Sequence, residues 1–182
     1  MPPLPVALLL VDWQSAFINV MPDGPAAARR AVLAAGAAQL LNIPVAITEH
    51  VPEKLGATRP MVREAAPEAP IFSKTAFSGL GAEGIITWLK DRNVQHLLLT
   101  GLETSICIYQ TAVQAMAEQF DVTLLSDAVV QRRNEDRGPA LETLRHAGAH
   151  ILPTETVFYS LFGDSTHPRF REFTQLVKAA GA

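Results

Sequence analysis

Hydrophobic positions along the chain fall into two recurring kinds of segment. Short unbroken apolar runs, such as Val6–Val11 (VALLLV), alternate with longer stretches of helical spacing. An unbroken run of this length suits a strand buried on both faces. The pattern predicts strands at Val6–Val11, Pro44–Thr48, a short one ending at Ile71-Phe72, His96–Thr100, Val122–Leu125 and Ala149–Leu152. It predicts helices at Pro25–Leu41, Ala82–Arg92, Thr104–Gln119, Asn134–Ala147 and Pro168–Ala180. The first opens plausibly at Asp23-Gly24-Pro25, because proline is tolerated in a first helical turn. The polar, proline-containing stretch Glu49–Pro70 reads as a connection. Strand and helix alternate about six times, which predicts an α/β fold. The expected architecture is a three-layer αβα Rossmann-like sandwich, with a parallel sheet of about six strands and right-handed crossovers.

Open parallel sheets bind ligands beyond the carboxyl ends of their strands. The residues at those ends are Asp12, Glu49-His50, Ser73-Lys74, Gly101 to Cys107, and Ser126-Asp127. Asp12 directly follows six apolar residues and is either a turn cap or a carboxylate free to act as a base. Lys74 is either a solvated loop lysine or a half-buried ammonium, since Phe72 and Phe77 beside it favour the interior. A half-buried ammonium needs a carboxylate partner, and Asp12 fits that role. Cys107 is either inert core or a nucleophile in the first turn of a helix capped by Thr104 or Ser105. Amides and the helix dipole there favour a thiolate, and Gly101 permits a sharp exit from the strand. Together the three make the most coherent nucleophilic site in the sequence. His50, His96, His146, His150 and His167 show no metal spacing, and Arg132-Arg133 reads as a solvated pair.

Composition narrows the classes further. The 182 residues, 48% hydrophobic and 18% charged, are too apolar for disorder and suit a single domain over 1–182. With 15 Lys+Arg against 18 Asp+Glu the net charge is −3, which argues against nucleic-acid and membrane partners. One cysteine excludes an intrachain disulfide. No Lys or Arg precedes Arg29, so the basic region of a signal peptide is missing, and the expected location is cytoplasmic.

At its three chemical segments the chain resembles the isochorismatase-like cysteine hydrolases. The stretches are Leu8 to Gln14, Ser73 to Ser78, and Gly101 to Ala112, continuing into Asp121 to Ala128. Thr48-Glu49-His50-Val51-Pro52, Leu55-Gly56-Ala57-Thr58 and Gly163 to Phe170 are similar to the branch of isochorismatase domain-containing proteins that lack a defined substrate. The resemblance implies a catalytic triad of Asp12, Lys74 and Cys107. It also implies a cis peptide at Leu102-Glu103, with the amides of Glu103 and Cys107 as the oxyanion hole. Where the nicotinamidases of this superfamily carry an Asp-x-His metal cluster, this chain has Thr48-Glu49-His50.

The leading expectation is a cysteine-dependent hydrolase of a small-molecule amide or similar C–N bond, with no metal and no cofactor. Trp13, Phe17, Leu55, Phe77 and Tyr109 are expected to line a small, partly aromatic pocket. The alternatives are a catalytically silent binding module and a metal-dependent nicotinamidase. The resemblance also implies a homo-oligomer, a dimer or larger.

Overall fold

A computed structural model describes residues 5–181, so residues 1–4 and 182 of the expected domain lie outside it. Six strands form one all-parallel sheet: β1 (Val6–Val11), β2 (Val45–His50), β3 (Ile71–Lys74), β4 (His96–Leu102), β5 (Asp121–Val130) and β6 (His150–Leu152). Their order is β3-β2-β1-β4-β5-β6, so the winding reverses between β1 and β4. All six side chains of β1 are buried, as the unbroken apolar run requires of a central strand covered on both faces.

One face carries α2 (Gly24–Leu40), α8 (Thr154–Phe162) and α9 (Phe170–Ala180) around Leu8, Leu10, Trp13, Ile47 and Phe173. The other carries α5 (Ile85–Lys90), α6 (Tyr109–Ala117) and α7 (Asn134–His146) around Leu9, Val11, Leu97, Leu99 and Ile108. Alternate residues of one strand therefore feed different cores. The chain has the expected αβα architecture. Short helices α1 (Ser15–Ile18), α3 (Pro52–Leu55) and α4 (Pro60–Glu64) surround the carboxyl end of the sheet.

The local differences from the expected elements have physical causes. The stretch read as a plain connection holds α3 and α4, each with a proline in its first turn. α8 was not expected, because its sequence TETVFYSLF is short and mixes β-branched with aromatic residues. β5 does not end at Leu125. Leu124 pairs with Leu99, but the next pairing is Val129 with Gly101, so β5 bulges outward and resumes. Ser126-Asp127 therefore lies within that bulge. Asp127 accepts hydrogen bonds from the Thr154 N–H at 2.8 Å and Oγ1 at 2.7 Å, and pairs with Arg30 at 2.7 Å. It anchors α8 and α2 to the sheet.

Candidate active site

Three neighbouring strands end in the same unusual way. Asp12 after β1 (φ 57), Val51 after β2 (φ 42) and Glu103 after β4 (φ 59) all adopt left-handed backbone without being glycine. Such conformations cost roughly 1–3 kcal/mol each and concentrate where a fold aims side chains for function. A β-branched residue such as Val51 is the most adverse case. The three turns lie around the point where the winding reverses, the ligand position of open parallel sheets.

Asp12 is 1% exposed and Lys74 5%. The Lys74 ammonium donates to Asp12 Oδ2 at 2.6 Å, to the Ala76 carbonyl at 3.1 Å and to the Phe77 carbonyl at 3.2 Å, which uses its three hydrogens. Thr48 Oγ1 donates to the other oxygen, Asp12 Oδ1, at 2.8 Å. The carboxylate is thereby fixed on both sides. Lys74 is the last residue of β3 rather than a loop lysine.

Cys107 is 5% exposed and lies within the electrostatic reach of Asp12 and Lys74. Burial first, and then the Asp12 charge, push its thiol up to about 12, while Lys74 opposes them. The expected bias toward a thiolate is thus reversed. A dry site disfavours the anion, and a nearby carboxylate adds to that. The turn itself also differs from the expected helix start. Thr104–Ile108 is a π-helical turn, in which the Ile108 N–H reaches the Glu103 carbonyl at 3.2 Å, and α6 begins only at Tyr109. Single π turns recur at functional sites. Neither Thr104 nor Ser105 occupies the cap position, which belongs to Glu103 and has no side-chain hydrogen bond.

The backbone holds no cis peptide among the described residues, so the bond between Leu102 and Glu103 is trans. The change of direction comes from the left-handed Glu103 (φ 59, ψ 72). Arg132 donates to the Glu103 carboxylate across the turn, so this arginine is not simply solvated. Gly101 is required by close approach. A Cβ there would meet the Val11 carbonyl oxygen at 2.3 Å and Ile108 Cδ1 at 2.9 Å.

Two threonines that sequence reasoning missed hold the site together. Thr48 fixes Asp12. Thr111 Oγ1 accepts from the Gly79 N–H at 2.7 Å and donates to the Cys107 carbonyl at 2.6 Å, tying the Lys74 loop to the cysteine turn. The one available signal was a polar residue in each apolar segment.

The expected pocket residues divide. Phe17 and Phe77 flank His50, with ring centroids 6.4 and 5.7 Å away. Leu55 is half-buried on α3. Trp13 is not a lining residue. It is 0% exposed in the core opposite Cys107, and its Nε1 donates to Thr100 Oγ1 at 2.9 Å. Tyr109 opens instead onto a groove of about 450 Å³ with Ser105 and, on α7, Asp136, Pro139, Ala140 and Thr143. A metal does not fit at Glu49-His50. Glu49 Oε1 already accepts from the Thr58 N–H and hydroxyl, both at 2.7 Å. Nor do the described His, Cys, Asp and Glu residues gather in a group of three.

The sequence of residues 6–156 matches the isochorismatase domain. The chain belongs to the isochorismatase family. Isochorismatase domain-containing protein 2 of Xenopus laevis is 33% identical over 170 residues, covering 93% of this chain and 82% of the relative. A secreted isochorismatase effector, Isc1 of Phytophthora sojae, is 32% identical over 177 residues, covering 94% and 83%. The MAR1 ribonuclease of Caenorhabditis elegans superposes with a TM-score of 0.90 at 32% identity, over 98% of this chain and 92% of the other. The chain is therefore a member of a hydrolase family with the isochorismatase fold. No described helix is long and apolar enough to cross a membrane.

Proposed function

We propose that this protein hydrolyses a small-molecule amide or similar C–N bond through a thioester on Cys107. The observation that carries the reading is a buried Asp12–Lys74 pair beside the only thiol of the chain, close enough for both charges to act on it. A buried ion pair is a poor device for stability alone, and here it holds a base against a nucleophile.

The resting thiol is neutral. As its sulfur attacks the substrate carbonyl carbon, the proton passes to Asp12 and an S–C bond forms. The Glu103 and Cys107 amides receive the charge on the carbonyl oxygen. Collapse breaks the C–N bond, and the amine leaves with the proton from Asp12. Water then gives its proton to Asp12 and its oxygen to the acyl carbon, releasing a carboxylic acid and restoring the thiol. Lys74 holds the Asp12 carboxyl in place through its hydrogen bond to Oδ2. With its lone thiol, the enzyme is suited to a reducing compartment, and we place it in the cytoplasm as a homo-oligomer.

Cleavage of RNA is a second reading, drawn from the name of the worm relative. It is disfavoured because Lys74 has no hydrogen left for a phosphate, and the net charge is −3. The test is intact-protein mass spectrometry during turnover of a panel of uncharged amides, with single-stranded RNA as a further arm. An acyl mass on Cys107 that decays with product release supports the amide reading. RNA cleavage by a Cys107→Ala variant, without an adduct on the parent enzyme, overturns it.

A further inference from the structure

Arg137 stands in the first turn of α7 and is half-buried, yet no ion pair among the described residues includes it. Its hydrogen bonds all go to neutral acceptors. Nη1 donates to the Val129 carbonyl at 2.7 Å and to Gln131 Oε1 at 3.3 Å, and Nη2 donates to the Ser126 carbonyl. A guanidinium carries five hydrogens in a fixed fork. These bonds use both hydrogens of Nη1 and one of Nη2. The two left over sit on the neighbouring atoms Nε and Nη2, a pair of nitrogens that can grip a carboxylate with two parallel bonds. Burial lowers the guanidinium from its ordinary value, and only the nearby charges of Asp23 and Asp127 oppose it.

Arg137 borders a pocket of about 410 Å³ that is also lined by Asp23, Ser126, Asp127, Gln131 and Asn134. The bulge of β5 forms one wall and the start of α2 another. This pocket is on the face of the sheet away from the thiol. Its lining residues Ala27 and Val130 pack in the core of Leu8 and Leu10, whereas Cys107 packs in the opposite core. The two carboxylates at the pocket differ. Asp127 is committed: Oδ1 accepts from the Thr154 N–H and hydroxyl, and Oδ2 accepts from Arg30. Asp23 is exposed, caps α2 without a side-chain hydrogen bond, and belongs to no ion pair among the described residues. It is near enough for its charge to act on Arg137, yet beyond ion-pair distance. One pocket thus presents a cation and an anion that do not satisfy each other.

We propose that this pocket binds a free α-amino acid, its carboxylate on Arg137 Nε and Nη2 and its ammonium on Asp23. An α-amino acid holds its two charges one carbon apart, so it bridges opposite groups that are close without touching. A simple anion would face the carboxylate of Asp23, and a simple cation would face Arg137. The volume, within the range of small-molecule sites, leaves room for a side chain. The proposal does not depend on the amide reading.

The parent protein is titrated with L-alanine, L-leucine, L-glutamine and L-phenylalanine, and binding is read from backbone amide shifts and the Arg137 Nε–H signal. At least one amino acid should bind, moving Arg137 Nε–H and the amides of Gln131 and Asn134. The tightest binder is then compared with its carboxamide, which lacks the carboxylate, and with its des-amino acid, which lacks the ammonium. Each should bind at least about tenfold more weakly, the scale of a hydrogen bond to a charged group. Asp23→Asn keeps a good helix cap. It should weaken the amino acid by a similar factor without weakening the des-amino acid. Arg137→Lys keeps the charge but loses the fork, and should weaken both. If Arg137→Lys does not fold, Asp23→Asn decides alone. No binding of any amino acid, a carboxamide or des-amino acid that binds as tightly, undiminished binding by either folded variant, or shifts confined to the turn of Cys107 overturns the proposal.

Discussion

Asp12, Lys74 and Cys107 share one dry volume, so each residue sets the cost of the others' charges. Because burial and Asp12 raise the Cys107 thiol to about 12, the folded chain holds this proton longer than the unfolded chain, whose thiol titrates near ~8.5. Stability referable to Cys107 is therefore fully present below about pH 8.5 and is lost as pH rises toward the folded value. In urea titrations at successive pH values, the parent protein should lose stability faster than Cys107→Ala above about pH 8.5. The difference in slope should approach about 1.4 kcal/mol per pH unit. Parallel curves would contradict the raised thiol. The ion pair gives a second outcome. Lys74→Met leaves Asp12 buried without its cation and should cost about 3–5 kcal/mol. Lys74→Met with Asp12→Asn should recover part of that loss, as read from the urea midpoint. A single variant as stable as the parent would show that the pair does not hold the site. The placement of these three residues at one end of the sheet was legible because Asp12 follows the buried run of β1, Lys74 closes the short run of β3 and Cys107 lies in the turn after β4. The direction of the thiol's shift was not, because it depends on how thoroughly the turn is dried.

At the scale of elements, the site is assembled by turns rather than by strands alone. The strand ends were readable from apolar runs, but Asp12, Val51 and Glu103 carry no sequence mark of left-handed backbone. The same holds for the π-helical turn: Thr104–Gln119 has ordinary helical spacing throughout. The link through Thr111 predicts that Thr111→Val leaves the Gly79 N–H and the Cys107 carbonyl without this partner. The loss should be about 1–3 kcal/mol, with kcat falling more than KM for any amide turned over. An unchanged kcat would contradict the link. Elsewhere, the bulge in β5 places Asp127 against α8 and α2. Burial raises its carboxyl, but hydrogen bonds from Thr154 and then Arg30 outweigh this and hold it below the usual carboxylate range. The stability it provides is present above about pH 3.9 and is lost as pH falls through the lower folded value. Denaturant midpoints should thus favour the parent over Asp127→Asn at pH 6, with an advantage that shrinks below about pH 4. An advantage that grows on acidification would contradict the assignment.

For the whole molecule, alternation of strand and helix was enough to specify the layers, because only covered faces let runs such as VALLLV be apolar throughout. Which pocket residues face the site was less legible. Trp13 and Asp12 are adjacent in sequence yet serve opposite faces, because the left-handed backbone at Asp12 breaks the alternation of β1 and sends Trp13 into the core of Leu8 and Leu10. The fold brings a buried carboxylate, its cation and the lone thiol together at the reversal of winding, and the central proposal is that this thiol carries the reaction. The most direct measurement is ammonia release from a panel of uncharged small amides by the parent enzyme and by Cys107→Ala. The account predicts release from at least one amide by the parent and a loss of at least about 10³-fold in the variant, with the fold intact by circular dichroism. Near-parental release by Cys107→Ala, or no release from any amide by the parent, would contradict it.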